Sequence, residues 1–260
     1  MSIEISTQVN LSSNSASIKN DTYNSVMIFK LPILKKEENI LYNKISISHA
    51  QIPISYYIIN ENNNLFVLST GSYTLTSGNY NANSFKTMFL SLLGSNFTMT
   101  LDNATGKYTL SNTSGYNILS STTCYKILGL KKNTSYNVTS SLTFPYPCNF
   151  LGINRIKIKS SSLKTNNLDS NSNGHSDLLC CIPVNVGAYG LLTYTNLNSF
   201  KNIIVNSDIT FVDITITDQD DYIINFNGID IYLTLQVDTF IREQYLDNNL
   251  NSLINNNILV

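Results

Sequence analysis

At 260 residues, 42% of them hydrophobic and 13% charged, the chain is long enough for one large β domain or two smaller ones, and too apolar for disorder to be the default. The charged share is about half the usual one, so solubility falls to Asn, Ser, Thr and Tyr; such a surface suits a subunit of an assembly, or records an AT-rich coding bias. A net charge of -1 argues against a nucleic-acid coat, because Lys35-Lys36, Lys131-Lys132 and the run Arg155, Lys157, Lys159 are only local, the last reading as the solvated face of a strand.

Residues 1–25 open with a weak alternation at Ile3, Ile5, Val9 and Leu11 and pass into the loop-like Ser12-Ser13-Asn14-Ser15. They read as an N-terminal arm that orders against a neighbour. Val26 to Leu31 is a short strand closed by Pro32, and Lys35 to Asn39 is a charged linker. The stretch Ile40 to Ile59 is a long strand. Its apolar positions are odd at Ile45 and Ile47 but even at Ala50, Ile52 and Ile54, which implies a bulge or bend between them. Pro53 places that half at an edge or bend.

Residues 65–140 change character. Leu65 to Leu68 and Tyr73 to Leu75 read as strands around Gly71. Phe85, Met88, Phe89, Leu92 and Leu93 repeat at helical spacing, with Asn83 or Ser84 as cap and Gly94 as stop. Phe97 to Leu101 and Tyr108 to Leu110 flank a turn-rich Asp102-Asn103-Ala104-Thr105-Gly106, a hairpin. Ser121 to Leu128 is a second short helix before Gly129. This segment is a small strand–helix–hairpin–helix lobe with β pattern on either side of it, which fits an insertion.

Strands resume at Ile153 to Ile158. Leu163 to Ser176 is a long Asn/Ser/Gly loop, Asp177 to Val184 an apolar strand covered on both faces, and Leu191 to Tyr194 another strand. The most regular stretch is Asp208 to Val237. Val212, Ile214 and Ile216 share one face of its first strand. In the second, Ile229, Ile231, Leu233, Leu235 and Val237 alternate with Asp230, Tyr232, Thr234, Gln236 and Asp238. Asp218 to Asp221 reads as the turn between them, and Asn227-Gly228 as a further turn or bulge, so the stretch is expected to be one antiparallel hairpin unit. The tail 241–260 carries Leu246, Leu250, Leu253 and Ile254 at helical spacing, but its Asn density points to an arm that docks on a neighbour.

The residues nominate no catalytic, cofactor-binding or metal-ligating site. Cys124, Cys148, Cys180 and Cys181 contain no CxxC, and the two histidines, His49 and His175, do not complete a zinc set. The cysteines read as buried, unbridged thiols of a reducing compartment. Asp218, Asp220 and Asp221 could in principle hold Ca²⁺ through hard oxygens, although turn aspartates are commoner. Phosphate-binding and nucleophile-elbow motifs are absent, and no two carboxylates can be paired for glycoside hydrolysis. The polar start, Met1 to Asn10, does not read as a signal peptide, and no apolar run approaches the roughly 20 residues of a membrane span.

Four features occur in order: Ile52-Pro53-Ile54-Ser55-Tyr56-Tyr57 running on to Asn64; Gly78-Asn79-Tyr80 before the helix, with the hairpin after it; Leu128-Gly129-Leu130; and the Asp turn, Phe226-Asn227-Gly228 and the strand ending Leu233-Thr234-Leu235-Gln236-Val237. Together, over roughly residues 26–240, they resemble the penton (vertex minor capsid) proteins of virophages, polinton-like viruses and related large DNA viruses. The resemblance implies an all-β, antiparallel jelly-roll barrel or sandwich over 26–64 and 141–240, with 65–140 as an inserted α+β lobe. It implies a pentamer at the icosahedral five-fold vertex, contacts with the major capsid protein and with other minor capsid proteins, a place in the virion assembled inside the infected cell, and no enzymatic activity. Two other readings stand beside it: a jelly-roll binding module, lectin-like or receptor-binding, and a β-barrel hydrolase that lacks a visible constellation.

Overall fold

The computed structural model describes residues 2–20, 23–31, 39–163, 168–169, 174–175, 177–204 and 208–242. The chain divides into two units, Met1–Tyr56 with Asn154–Val260, and Tyr57–Ile153. The first unit begins with β1 (Ser2–Ser12), β2 (Ile18–Lys19), β3 (Val26–Phe29) and β4 (Ile40–Pro53). The second follows as β5 (Leu65–Leu68), β6 (Gly71–Thr74), α1 (Ala82–Leu93), β7 (Phe97–Asp102), β8 (Lys107–Asn112), β9 (Tyr116–Ile118), α2 (Tyr125–Leu128), β10 (Tyr136–Val138) and β11 (Ser141–Thr143). The chain returns to the first unit with β12 (Arg155–Lys159), β13 (Leu168–Asp169), β14 (Gly174–His175), β15 (Leu178–Pro183), β16 (Leu191–Thr195), β17 (Asn202–Ile204), β18 (Val212–Thr217) and β19 (Tyr232–Arg242).

The main strands of the first unit, in chain order, are β1, β3, β4, β12, β15, β16, β18 and β19. One sheet runs β1-β19-β4-β16, with β17 on the same flank of β4 as β16, and the other β15-β12-β18-β3-β2. Numbered one to eight, the two sheets read 1-8-3-6 and 5-4-7-2, all antiparallel. Almost every connection crosses between sheets. This is a jelly-roll-like fold, which deals with strand edges by pairing two sheets. Both sheets bury one face: Ile45, Ile47, Ala50, Ile52, Leu233, Leu235 and Val237 in the first, and Met27, Phe29, Ile156, Ile158, Val212, Ile214 and Ile216 in the second.

The phase switch in the long strand has its cause in the register. Thr234 opposes His49 but Leu235 opposes Ile47, so Ser48 is the extra residue of a bulge. Its Oγ donates to the Thr234 carbonyl at 3.1 Å. Before it Asn43, Ile45 and Ile47 face inward; after it Ala50, Ile52 and Ile54 do. Pro53 is the last residue of β4, opposite Leu191 and beyond the last β19 partner at Gln51, so no ladder bond is lost to it.

Several expectations are corrected here. β18 and β19 are not a hairpin: they lie in different sheets, and 14 residues, Asp218 to Ile231, carry the chain across. Crossing is what lets each apolar face meet the common core. Ile229, expected on the buried face, is outside β19 and exposed. Residues 2–12, expected within an arm, pair with β19 over their full length. β15 is an edge strand with Cys181 exposed, so it is not covered on both faces. Two residue pairs of the 163–176 loop form a short ladder, Leu168 with His175 and Asp169 with Gly174. The arm 241–260 lies outside the described residues beyond Arg242, where β19 ends.

In the second unit α1 packs with the sheets β10-β9-β5-β6 and β11-β8-β7. Phe85 and Phe89, one turn apart, bury the inward stripe of the helix. Phe89 stacks on Phe85 at 5.4 Å and meets Phe66 edge-on at 4.9 Å. The helix cap is Asn81, not Asn83 or Ser84. Its Oδ1 accepts from Asn83 N and Ser84 N, and Ser84 Oγ accepts from Asn81 N, a reciprocal box. The stop is Gly94, as its residue type demands. Buried Tyr108 donates its hydroxyl to the Ala82 carbonyl at 2.6 Å. Gly129 ends α2 at φ 84°, where a Cβ would stand 2.1 Å from the Tyr146 carbonyl oxygen, so only glycine fits.

Two predictions follow from these placements. Leu235→Ala, at a fully buried position of β19, is expected to cost about 2–5 kcal/mol in urea unfolding, and Ile229→Ala less than about 0.5 kcal/mol. Equal losses would restore Ile229 to the core face. Asn81→Ala should cost about 1 kcal/mol and Asn83→Ala next to nothing; the reverse order would move the cap.

Candidate assembly surface

The sheet β1-β19-β4-β16 has one face turned from the core, and its rows follow from the register. One row is Ser12, Tyr232, Gln51 and Thr193; the next is Asn10, Thr234, His49 and Thr195. Leu191 and Pro53 extend it at the β16 side. None of these residues carries a formal charge, and Tyr232 and Leu191 are each 52% exposed. Thr234 Oγ1 donates to Asn10 Oδ1 at 2.9 Å. His49 is exposed in this field, with Nδ1 3.3 Å from Ser48 Oγ. A face of hydroxyls, amides, one tyrosine and aliphatic carbon loses little on drying, whereas lysines and glutamates would lose much.

Along the same strands the field gives way to a charged clamp. Asp238, opposite Ser6 on one side and Lys44 on the other, is 0% exposed although it sits on the outward row. Lys201, from the turn before β17, brings its Nζ to 2.8 Å from Asp238 Oδ2 and 3.1 Å from Glu4 Oε1. The first contact is an ion pair more than a well-aligned hydrogen bond. Asp238 Oδ1 accepts from Ser6 Oγ at 2.5 Å and Gln236 Nε2 at 3.0 Å. Burial opposes the charged carboxylate, but bonds from Lys201, Ser6 and Gln236 outweigh it and hold Asp238 below its ordinary range. Lys201 is raised in turn, chiefly by Asp238. Beyond the clamp Tyr42 and Phe240 stack at 4.5 Å with Lys44 Nζ 4.9 Å from the Phe240 ring centre.

Elsewhere in the first unit, polar clusters hold loops. Lys157 and Lys159 both bring Nζ to 2.9 Å from Asp221 Oδ1, so this run is not simply a solvated face; Lys157 is buried. Asp218 Oδ1 accepts from Asp220 N and Tyr222 N, closing the turn that the three aspartates occupy. Of the aspartates considered for Ca²⁺, Asp218 thus faces backbone amides and Asp221 two lysines. Asp213 accepts four bonds: Ser160 Oγ at 2.9 Å, Ser161 N at 2.9 Å, Ser161 Oγ at 2.6 Å and Ser162 N at 2.7 Å. Burial pushes its carboxyl up, yet the donors on Ser161 and Ser162 together bring it down to about 2. The same balance, with Lys157 and Lys159 as donors, brings Asp221 to about 2.

None of Cys124, Cys148, Cys180 and Cys181 forms a disulfide, and burial pushes the Cys124 thiol well up. Among the described residues no three His, Cys, Asp or Glu gather as metal ligands, and no helix is long and apolar enough to cross a membrane. The motifs that carried the resemblance have structural duties. Asn60 and Asn63 close a turn through Asn60 N to Asn63 Oδ1 at 2.8 Å, Gly78 bridges Ile59, and Asn227, at φ 52°, donates Nδ2 to the Ser55 carbonyl at 2.6 Å.

No family model and no curated protein matches the sequence. Among solved structures a similar chain is the crystal structure of SeMet-labelled mavirus penton protein, with a TM-score of 0.49 and 12% identity over 90% of this chain and 99% of that one.

Both aspartates sit below the 3.8 of an ordinary side chain, so they stabilise the fold above about pH 4, and that contribution is lost as pH falls toward 2. Asp213→Asn is expected to cost roughly 1–2 kcal/mol at pH 7, allowing for screening, and to flatten the fall in urea midpoint between pH 5 and about 2. Parallel curves for variant and parent would refute the assignment.

Proposed function

We propose that this chain is the penton subunit of an icosahedral capsid, five copies closing a ring at the five-fold vertex and contacting the major capsid protein, with other minor capsid proteins as further neighbours. The observation that carries the reading is the 1-8-3-6 and 5-4-7-2 pair of sheets, with a separate unit, Tyr57–Ile153, inserted between the third and fourth strands. It is the arrangement that the sequence resemblance implies. The uncharged part of the outward face, the rows through Tyr232 and Thr234, supports it, because a closed ring of identical subunits must dry two unlike faces on every copy. In this reading the unit of Met1–Tyr56 and Asn154–Val260 is the ring-building barrel, Tyr57–Ile153 serves as the inserted lobe, somewhat wider than the 65–140 that the sequence pattern marks, and the residues after Arg242 are an arm toward neighbours. The role is assembly and not catalysis, and its place is the virion, built inside the infected cell.

Solution mass with negative-stain averaging tests the proposal. The expected species is a five-fold ring of five 29.0 kDa chains. If the isolated chain is a monomer, co-expression with its major capsid protein should yield vertices that contain it. A stable trimer, or shells whose vertices exclude the chain, would overturn the reading.

A further inference from the structure

β1 pairs with β19 over eleven residues, yet buries almost nothing. Every residue from Ser2 to Gln8 is exposed, and Leu11 is the one buried side chain of the strand. What holds it is the backbone ladder and three side-chain contacts: Glu4 to Lys201, Ser6 to Asp238 and Asn10 to Thr234. Immediately after it the attachment changes. Ser13 is 1% exposed, its N donates to the Ile231 carbonyl at 3.1 Å, its Oγ donates to Asp230 Oδ1 at 2.7 Å and accepts from Ile231 N at 3.1 Å. The strand before Ser13 therefore has little apolar anchorage, and the chain from Ser13 onward is pinned.

The track on which β1 lies is specific. It offers a cation to a carboxylate at position 4, a buried carboxylate oxygen to a hydroxyl at position 6 and a hydroxyl to an amide at position 10. Left empty, it would uncover Asp238 and the whole flank of β19, a long edge without proline or bulge on that side. The occupant that fits is this same segment, from the same chain or from another copy. In trans the run Ser2–Gln8 would keep its ladder and the Glu4 and Ser6 contacts, so exchange costs little beyond bringing the copies together and freeing Val9–Ser12 as a span.

We infer that β1 is an exchanged strand: in the assembled state its exposed run, Ser2–Gln8, of one copy lies on β19 of a second copy, with Val9–Ser12 spanning from the pinned Ser13, and that copy passes its own run to the next. The inference rests on the assembly reading above, since exchange needs a neighbour held nearby. Giving one strand and receiving one is a head-to-tail relation that closes in a ring.

Gln8 and Gln236 face each other in the register on the outward face, so a disulfide there reports whose strand is present. Two differently tagged full-length chains, one carrying Gln8→Cys and the other Gln236→Cys, both with Cys181→Ser, are co-expressed and oxidised. Exchange predicts a covalent heterodimer on a non-reducing gel in the mixture and in neither variant alone. A chain carrying both cysteines is the check on geometry. If it closes on itself while the mixture gives no heterodimer, the inference is overturned. The mass of the same samples keeps the two readings apart. A five-fold ring without heterodimer sinks exchange and leaves the penton reading; heterodimer within a particle of another symmetry supports exchange and counts against the penton.

Discussion

The placement of β19 between β1 and β4 is the constraint on which the first unit depends. Its inward side chains, Leu233, Leu235 and Val237, supply the middle of one core face, and its outward row supplies Tyr232, Thr234 and Asp238 to the exposed surface. The ladder to β4 is forced into a bulge at Ser48 because β4 is apolar in two phases, and the bulge keeps both halves of β4 facing inward. One side chain more or less at this point would turn Ile45 and Ile47, or Ala50 and Ile52, toward water. Buried aliphatic residues of this kind contribute roughly 1.5–3 kcal/mol each, far more than the hydrogen bonds that fix the loops, so the register is decided by the core and the turns comply.

That division of labour explains what could be read from the sequence. Alternation gave β19 its faces, and the odd-to-even switch between Ile47 and Ala50 gave the bulge, since both are statements about a strand and the side it buries. The helix of the second unit was equally plain from Phe85 and Phe89, and its glycine stop from Gly94. What escaped was pairing. Nothing local distinguishes a strand that folds back on its predecessor from one that crosses to the opposite sheet, so β18 and β19 read as a hairpin. Ser2–Ser12 read as an arm for a related reason. Its alternation is weak because the strand buries little, and its order comes from a ladder to residues more than 200 positions away.

The surface was legible in kind but not in place. Scarce charge pointed to surfaces that dry cheaply, and the outward rows of β1, β19, β4 and β16 are where that composition collects. The clamp of Lys201, Asp238 and Glu4 could not be foreseen, because three residues so far apart in sequence carry no spacing to recognise. The one hint was an aspartate within an otherwise uncharged polar row. Asp213 was hidden in the same way: four donors from Ser160, Ser161 and Ser162 meet it from a different strand's end.

The strand order also sets a timetable. All residues of Tyr57–Ile153 are consecutive, so that unit has its full set of partners once residue 153 has been made. The sheet β1-β19-β4-β16 has no such luxury: β1 and β4 wait for β19, Tyr232–Arg242, before they are joined. Contacts of such long reach form late and slowly. A chain cut short between residues 153 and 232 can therefore carry a finished smaller unit and still lack the outward face of the larger one. The fold thus measures its own length, and only chains synthesised through β19 acquire the outward rows of that sheet.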